Sequence, residues 1–570
     1  MADVATTDIN AAVSQAIEVA QCGACYMRYT AQGVTHAKAL KTIREKLNEQ
    51  GCHIPLVADI HFSPVAAFEA LKHVEKVRIN PGNFAEKRLP NGELTEDFLQ
   101  EAHALVEEKF GAFVIEAKKR RKAIRIGVNH GSLSQRMLRL WGNTPEGMCQ
   151  SALEYLSICR KHHFSDVVIS MKSSNPLVMT EAVRLLVEKL DNEAMPVPLH
   201  LGVTEAGESE DGRIKSALGI GSLLADGIGD TIRVSLTEPP QAEIPVAESI
   251  LKHIARRANA PTLTPLSNAT YQRGLYHRDL LTVAPPFSGP GTTPPLWIQG
   301  GKRHTSPSPL TKGDLIIEQG TPLEEAFQDK FGNDYTLYHL DAETIAQAPL
   351  EEMAKDPGKK ILLLTAKGPN RIGLFRQSLA LLKSKNCTFP LVIGIEEPLP
   401  LEEEFIIEAA IDLGAILLEG AASGIYLHHP LLSVDRLQSI GLGILQAARL
   451  RFSRAEFISC PGCGRTLYHL QHTIGKIKDA FGHLSNIKIG VMGCIVNGPG
   501  EMADADYGYV GSSPGKIDLY KGSTCLIRGV AEENAVAALE QLIKQEGDWK
   551  DRPMAIRLEE KEEKKEPQKK

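Results

Sequence analysis

The stretch that most constrains this chain runs from Phe457 to Glu501 and reads FISCPGCGRTLYHLQHTIGKIKDAFGHLSNIKIGVMGCIVNGPGE. Cys460 and Cys463 form a C-x-x-C pair in a Pro/Gly turn, tight enough for two sulfurs to grip one centre. Cys494 follows an apolar run, IKIGVMG, that reads as a buried strand. An Asn-Gly-Pro-Gly turn then leads to Glu501. Three thiols and one carboxylate are an unusual set. A structural zinc site closes with four Cys or His ligands, and a four-iron cluster usually takes four cysteines. A harder, more labile oxygen in place of one thiolate leaves one iron open to a substrate, which favours catalysis over electron storage. Two blander readings stand beside this one: a thioredoxin-like redox pair at Cys460 and Cys463, or a zinc ribbon completed by His469 or His472. Neither gives the glycine-framed Glu501 a use.

Composition narrows the class. The 570 residues suit three or four domains. With 24% charged residues and a net charge of −6, the chain lacks the basic excess of a nucleic-acid-binding surface. Ten cysteines without regular spacing do not make a secreted disulfide framework. No signal-peptide pattern opens the chain, and no apolar run reaches the roughly 18 residues that a membrane span needs. The expectation is a soluble protein of a reducing compartment, the cytoplasm.

Over residues 1–258, short β-branched runs alternate with amphipathic stretches such as 35–49 and 176–190, the rhythm of βα units around a parallel sheet. Seven strands are expected, at 26–30, 56–60, 77–80, 124–128, 167–170, 199–203 and 231–235. That is one short of a (β/α)8 barrel of TIM type. Charge inside these strands is the informative feature. Arg28, Arg78, Arg125 and Arg233 each lie between apolar neighbours near a strand's C-terminal end. Lys172 lies just beyond a fifth strand and Asp59 near the end of a sixth. Where apolar neighbours face outward helices, period-2 alternation aims the charged residues into the barrel. Converging guanidinium groups need a partner there, and an anion with several oxygens matches their geometry. Asn80 and Asn129 open Asn/Gly turns after two strands and extend the pocket rim. His61 and His130 are candidate proton donors by position. Cys22 and Cys25 close a helix ahead of a strand and carry no metal-site expectation.

Residues 259–313, dense in Pro, Thr, Ser and Gly, read as a linker. Over 314–444 the βα rhythm returns without repeated arginines, which predicts an inserted α/β domain with a structural role. Gly368–Gly373 (GPNRIG) lacks the Walker lysine and the dinucleotide glycine spacing, so no phosphate loop is expected. Residues 445–552 hold the cysteine motif in a third α/β domain. The charge run 553–570 reads as a disordered tail.

The motifs ISCPGCGR and GCIVNGPGE, with VADIHF, VRINPGN, RIGVNHGS and SMKSS, resemble those of the 4-hydroxy-3-methylbut-2-enyl diphosphate synthase family of the non-mevalonate isoprenoid pathway. The resemblance covers about 20–258 and 444–545, and the middle domain looks like the insert of the long, three-domain form of plants and some bacteria. It implies reductive opening of a cyclic diphosphate, 2-C-methyl-D-erythritol 2,4-cyclodiphosphate, by an oxidoreductase with one [4Fe–4S] cluster per chain, fed single electrons by a ferredoxin or flavodoxin. Carried over, Cys460, Cys463, Cys494 and Glu501 are the cluster ligands, with Glu501 also catalytic. Arg28, Asp59, Arg78, Asn80, Arg125, Asn129, Lys172 and Arg233 form the substrate pocket. The resemblance allows a homodimer and leaves open whether the cluster domain closes on its own barrel or a partner's. It implies no nucleic-acid or membrane partner, and a plastid location only if a transit peptide stood upstream. The family begins with a further strand ahead of the segment matching Thr6-Thr7-Asp8, so the expectation is a barrel without its first strand.

Overall fold

The computed structural model describes residues 1–86, 94–193, 196–264, 266, 296–300, 315–318, 326–328, 334–355, 360–387, 390–396, 401–422, 424–495, 498–502 and 504–552. Its first unit is a barrel-type α/β array. Strands β1 (Met27–Ala31), β2 (Leu56–Ile60), β3 (Lys76–Ile79), β4 (Ala123–Asn129) and β5 (Val167–Lys172) pair in parallel in that order. A bridge from Ile169 to Leu199 leads on to β6 (His200–Leu201), which pairs with β7 (Thr231–Ile232). Strands expected over five residues at 199–203 and 231–235 are two residues long, and the chain beyond each turns away towards the third domain. Among the described residues seven strands occupy the ring. Ala2 N–H donates to Arg28 O at 2.8 Å and Thr6 Oγ1 to Thr30 O at 2.7 Å, so residues 2–6 run along the free edge of β1.

Local chemistry explains where the crossover helices begin. Ser63, Thr144 and Asn175 each precede a proline, and each side chain accepts a backbone N–H of the first helical turn. The cap satisfies an orphan donor, and the proline supplies a preset φ where its missing N–H costs nothing. In β4 the residues alternate as the pleat requires. Ile124, Ile126 and Val128 are buried beneath the helices, which aims Arg125, Gly127 and Asn129 inward.

The inserted unit is a sheet in the order β10-β11-β12-β13-β14-β8-β9. Its strands are β8 (Leu296–Gly300), β9 (Leu315–Glu318), β10 (Ala326–Gln328), β11 (Asp334–Asp341), β12 (Lys360–Ala366), β13 (Leu391–Ile395) and β14 (Gly424–His428). Strand β8 falls inside the Pro/Gly-rich 259–313 stretch and pairs in parallel with β14, so part of that stretch is built into the insert's sheet. The third unit orders β15 (Glu456–Ser459), β16 (Lys488–Met492), β17 (Tyr507–Ser513), β18 (Lys516–Lys521) and β19 (Thr524–Ala531) in one sheet, parallel across its first three strands and antiparallel thereafter. The tail 553–570 lies outside the described residues. Among them, no helix is long and apolar enough to cross a membrane.

The three units meet on the helix Ser209–Ala225. Glycines let its neighbours approach closely. A Cβ on Gly414, in the insert helix Glu402–Leu418, would stand 2.5 Å from Leu218, and one on Gly443 would stand 2.9 Å from Ile214. From the third unit, Glu456 reaches the same helix. Its Oε1 accepts from Lys215 Nζ at 2.7 Å while Oε2 pairs with Arg449, and Glu456 is 1% exposed. Burial pushes this carboxyl up, but Lys215 and Arg449 outweigh it and bring it down to about 2. A depressed folded-state value stabilises above the ordinary carboxylate range, and that stability is lost as pH falls through about 2. Glu456→Gln, which strands two buried cations, is expected to cost on the order of 3–5 kcal/mol at pH 7. The thermal transition should drop accordingly, and the gap to wild type should narrow below about pH 4.5, where the carboxyl of the unfolded wild-type chain begins to protonate while the folded one stays ionised down to about 2. Equal transitions at pH 7 would disprove the role.

Candidate active site

One cavity joins the first and third units within a single chain. Arg28, Asp59, Arg78, Arg125, Asn129, Lys172 and Arg233 line it from the barrel, and Cys460, Cys463 and Cys494 from above. Of the residues expected from sequence, Asn80 is not in the lining. It caps a short helix by accepting from Gly82 N–H at 3.0 Å, and its Nδ2 donates to Ser132 Oγ at 3.1 Å, so it supports the rim from behind. Glu501 ends the short helix Gly498–Glu501, and its side chain lies outside the described part of the structure.

The barrel wall is strongly cationic. Arg78 is 4% exposed and donates to Asp59 Oδ1 at 3.0 Å and to Gly127 O at 2.8 Å; a Cβ at Gly127 would collide with its guanidinium. Arg233 donates to Glu243 at 3.1 Å. Among the described residues, Arg125 and Lys172, 6% and 4% exposed, have no ion pair, and Arg125 Nε and Lys172 Nζ have no hydrogen-bond partner. Burial lowers the Lys172 ammonium well below its usual range, reinforced by Arg233 and Arg125. Burial and then Arg28 and Arg78 act on Arg125 in the same direction. Burial likewise lowers Arg28 to about 10. Arginines stay protonated at physiological pH, so their mutual repulsion is a standing cost that a bound anion relieves. Burial pushes Asp59 up, but Arg28 and Arg78 hold it well below the carboxylate range.

His61 lines the cavity, with Nε2 2.7 Å from Arg78 Nη1 and 3.5 Å from Asp59; burial lowers its pKa, which favours the neutral imidazole. His130 does not line it. Its Nε2 lies 3.1 Å from Asn143 O and its Nδ1 3.7 Å from Asp504, so it joins the barrel rim to the third unit instead of facing the cavity.

The roof comes from two adjacent parallel strands. Cys460 follows β15 and Cys494 lies just beyond β16, whose ends pair Ser459 with Val491. Gly493 N–H donates to Cys460 Sγ at 3.3 Å, and Thr466 Oγ1 accepts from Cys463 N–H at 3.1 Å, which shapes the turn. Burial pushes the Cys460 thiol far up. Closure over the barrel rests on close contacts. Thr237 Oγ1 donates to Cys460 O at 3.1 Å, Ala206 bridges Ser459, and a Cβ on Gly500 would lie 2.6 Å from Gly131 O. Among the described residues no three His, Cys, Asp or Glu side chains are placed to hold a single metal ion. His469 and His472 are exposed and line none of the cavity, so the zinc-ribbon alternative finds no fourth ligand in them.

Sequence reasoning missed Glu205, Arg465 and Thr204, which also line the cavity. Glu205 is 5% exposed, has a positive φ of 48° and acts on Cys460 through its charge. The VTEAG segment that carries it follows an expected strand, the one signal that could have found it. The guanidinium of Arg465 lies 4.0 Å from Asp59 and shares the cavity lining with Cys463 and Cys494.

Fold and site together are those of a barrel-type α/β enzyme whose cationic pocket is roofed by a cysteine-bearing domain. Residues 1–248 match the family model described as the GcpE TIM-barrel domain, and 456–545 that of the GcpE protein C-terminal domain. The 4-hydroxy-3-methylbut-2-en-1-yl diphosphate synthase (flavodoxin) of Porphyromonas gingivalis is 48% identical over 563 residues, covering 97% of this chain and 94% of that protein. Its counterpart in Bacteroides fragilis is 41% identical, with 98% and 94% covered. The chloroplastic, ferredoxin-type synthase of Arabidopsis thaliana is 37% identical, with 96% and 85% covered. The chain belongs to the GcpE family of 4-hydroxy-3-methylbut-2-en-1-yl diphosphate synthases.

Proposed function

We propose that this protein opens 2-C-methyl-D-erythritol 2,4-cyclodiphosphate reductively, with loss of water, to give 4-hydroxy-3-methylbut-2-enyl diphosphate. The observation that carries the reading is the single cavity in which unpaired barrel cations face three cysteines. Those cysteines suit a [4Fe–4S] cluster better than one ion, because each thiolate of such a cluster binds a different iron and the sulfurs need not converge on a point. Cys460, Cys463 and Cys494 would hold it, with Glu501 as the fourth, oxygen ligand. When bound, the cluster would supply single electrons and a Lewis-acidic iron.

The chain's own residues do the rest. Arg125 and Lys172 take the diphosphate oxygens, and Arg28, Arg78 and Arg233 complete the cradle, with Asn129 at its edge. Asp59 and His61 hold the Arg78 fork in place. The contacts of Thr237, Ala206 and Gly500 with their opposite walls exclude water, which strengthens each charge interaction inside. Glu205, buried in the same lining as the cations and Cys460, is placed to exchange a proton with the substrate. In this reading both walls come from one chain.

A small one-electron protein, flavodoxin or ferredoxin, is the expected donor, as in the names of the bacterial and plant relatives. The reading places the protein in a reducing cytoplasm. Anaerobically reconstituted protein is expected to be brown, to absorb broadly near roughly 400 nm, and to consume the cyclic diphosphate when given a reduced flavodoxin or ferredoxin. A colourless protein carrying stoichiometric zinc after the same treatment would overturn the reading.

A further inference from the structure

Arg465 occupies a position that the reaction as described does not use. It lies two residues beyond Cys463, in the turn that carries the first two cysteines, yet it points back into the cavity. Its side chain is 8% exposed, and burying a guanidinium this far is costly unless charge answers it. Two groups answer it. One is Cys463, which lines the same cavity two residues away and whose charge acts on the guanidinium, and the other is Asp59, 4.0 Å away across the domain boundary. Asp59 is itself fixed by Arg78 at 3.0 Å and lies 3.5 Å from His61. Arg465 Nε is buried and has no hydrogen-bond partner among the described residues, so this cavity-lining side chain keeps one donor unused.

Resting on the reading that Cys463 is a cluster ligand, we propose that Arg465 is a positioning residue that raises the cluster's reduction potential and ties that effect to closure over the barrel. Reduction adds negative charge, and a buried cation in the same cavity as a ligand sulfur stabilises the reduced form over the oxidised one. The guanidinium keeps that place because Asp59 faces it from the barrel side, a contact that exists only while the third domain covers the barrel. Lysine could supply the charge. It cannot supply a planar fork whose several donors face the cysteines and a carboxylate from one fixed position.

The test compares wild type, Arg465→Gln, Arg465→Lys and the charge-matched control Lys476→Gln, an exposed site on the helix Leu470–Phe481. Each is reconstituted anaerobically without substrate, its cluster content measured by absorbance, and its potential read by an EPR-monitored titration. The expected result is a shift to more negative potential, larger for Gln than for Lys, with the control at the wild-type value. If the Gln variant does not retain the cluster, the Lys variant decides, since it too must fall below wild type. A wild-type potential in the cluster-loaded Lys or Gln variant would overturn the proposal, as would an equal shift in the control. Wild type that takes up no cluster would instead refute the functional reading beneath it, and the two failures are therefore distinguishable.

Discussion

Replacing Cys460, Cys463 or Cys494 by serine is expected to abolish turnover and the visible absorption together, in a protein that still folds. Folding survives because the third domain's core does not depend on the thiols. Ile474, Phe481, Ile489, Tyr507, Leu519 and Leu539 are all fully buried, whereas all three cysteines are only partly buried. Serine keeps the size of the side chain and loses the soft thiolate that iron–sulfur sites need. Glu501→Ala separates the two effects. Three thiolates remain to hold the cluster, so colour persists while turnover collapses. Glu501→Cys keeps the colour and closes the open corner, again without turnover. Full activity in either Glu501 variant would show that the oxygen ligand is not the feature that matters, and activity in a serine variant would dismiss the cluster assignment.

The second large effect lies on the barrel side. Arg125→Ala should weaken substrate binding by on the order of 2–5 kcal/mol, the range for truncating one member of a buried charge pair, or about thirty-fold to several thousand-fold in affinity. Arg125→Lys should recover only part of this, because a point charge replaces a bidentate fork. The free protein gives a second readout of the same cause. Removing one of several mutually repelling buried cations relieves strain, so Arg125→Ala should melt no lower than wild type in the absence of ligand. Unchanged Michaelis constant and turnover in Arg125→Ala would refute the pocket. A collapse of the fold without ligand would show that Arg125 serves packing instead.

Period-2 alternation around Arg78 and Arg125 was enough to place the cationic wall, because in a strand backed by helices the direction of a side chain follows from its position alone. Cys460 and Cys494 were legible for a similar reason, each standing at the end of an apolar run that forms a strand. What stayed hidden depends on contacts distant in the chain. Arg465 looks like a surface residue of a Cys-Gly-Arg turn until the third domain is laid over Asp59, more than four hundred residues earlier. Asn80 reads as a ligand because Asn-Pro-Gly turns offer donors to anions; the same chemistry lets it cap a helix, and the cap is the contact the structure shows. Strand β8 was masked by composition. Prolines and glycines crowd the residues before Leu296, and only pairing with β14 makes that segment a strand.

The helix Ser209–Ala225 has to satisfy several partners with few side chains. Gly221 leaves room for Ile411 of the insert, Leu218 fills the gap at Gly414, and Lys215 answers Glu456 beneath the cysteine roof. An ordinary amphipathic helix has a free face on which mutations drift at little cost. Here that freedom is largely gone, since twelve of its residues, small and polar ones included, are buried. Substitutions in this helix should therefore be tolerated far less often than its distance from the chemistry suggests. Where one is accepted, its compensating change belongs in another domain, so the three units are bound to vary in sequence as one.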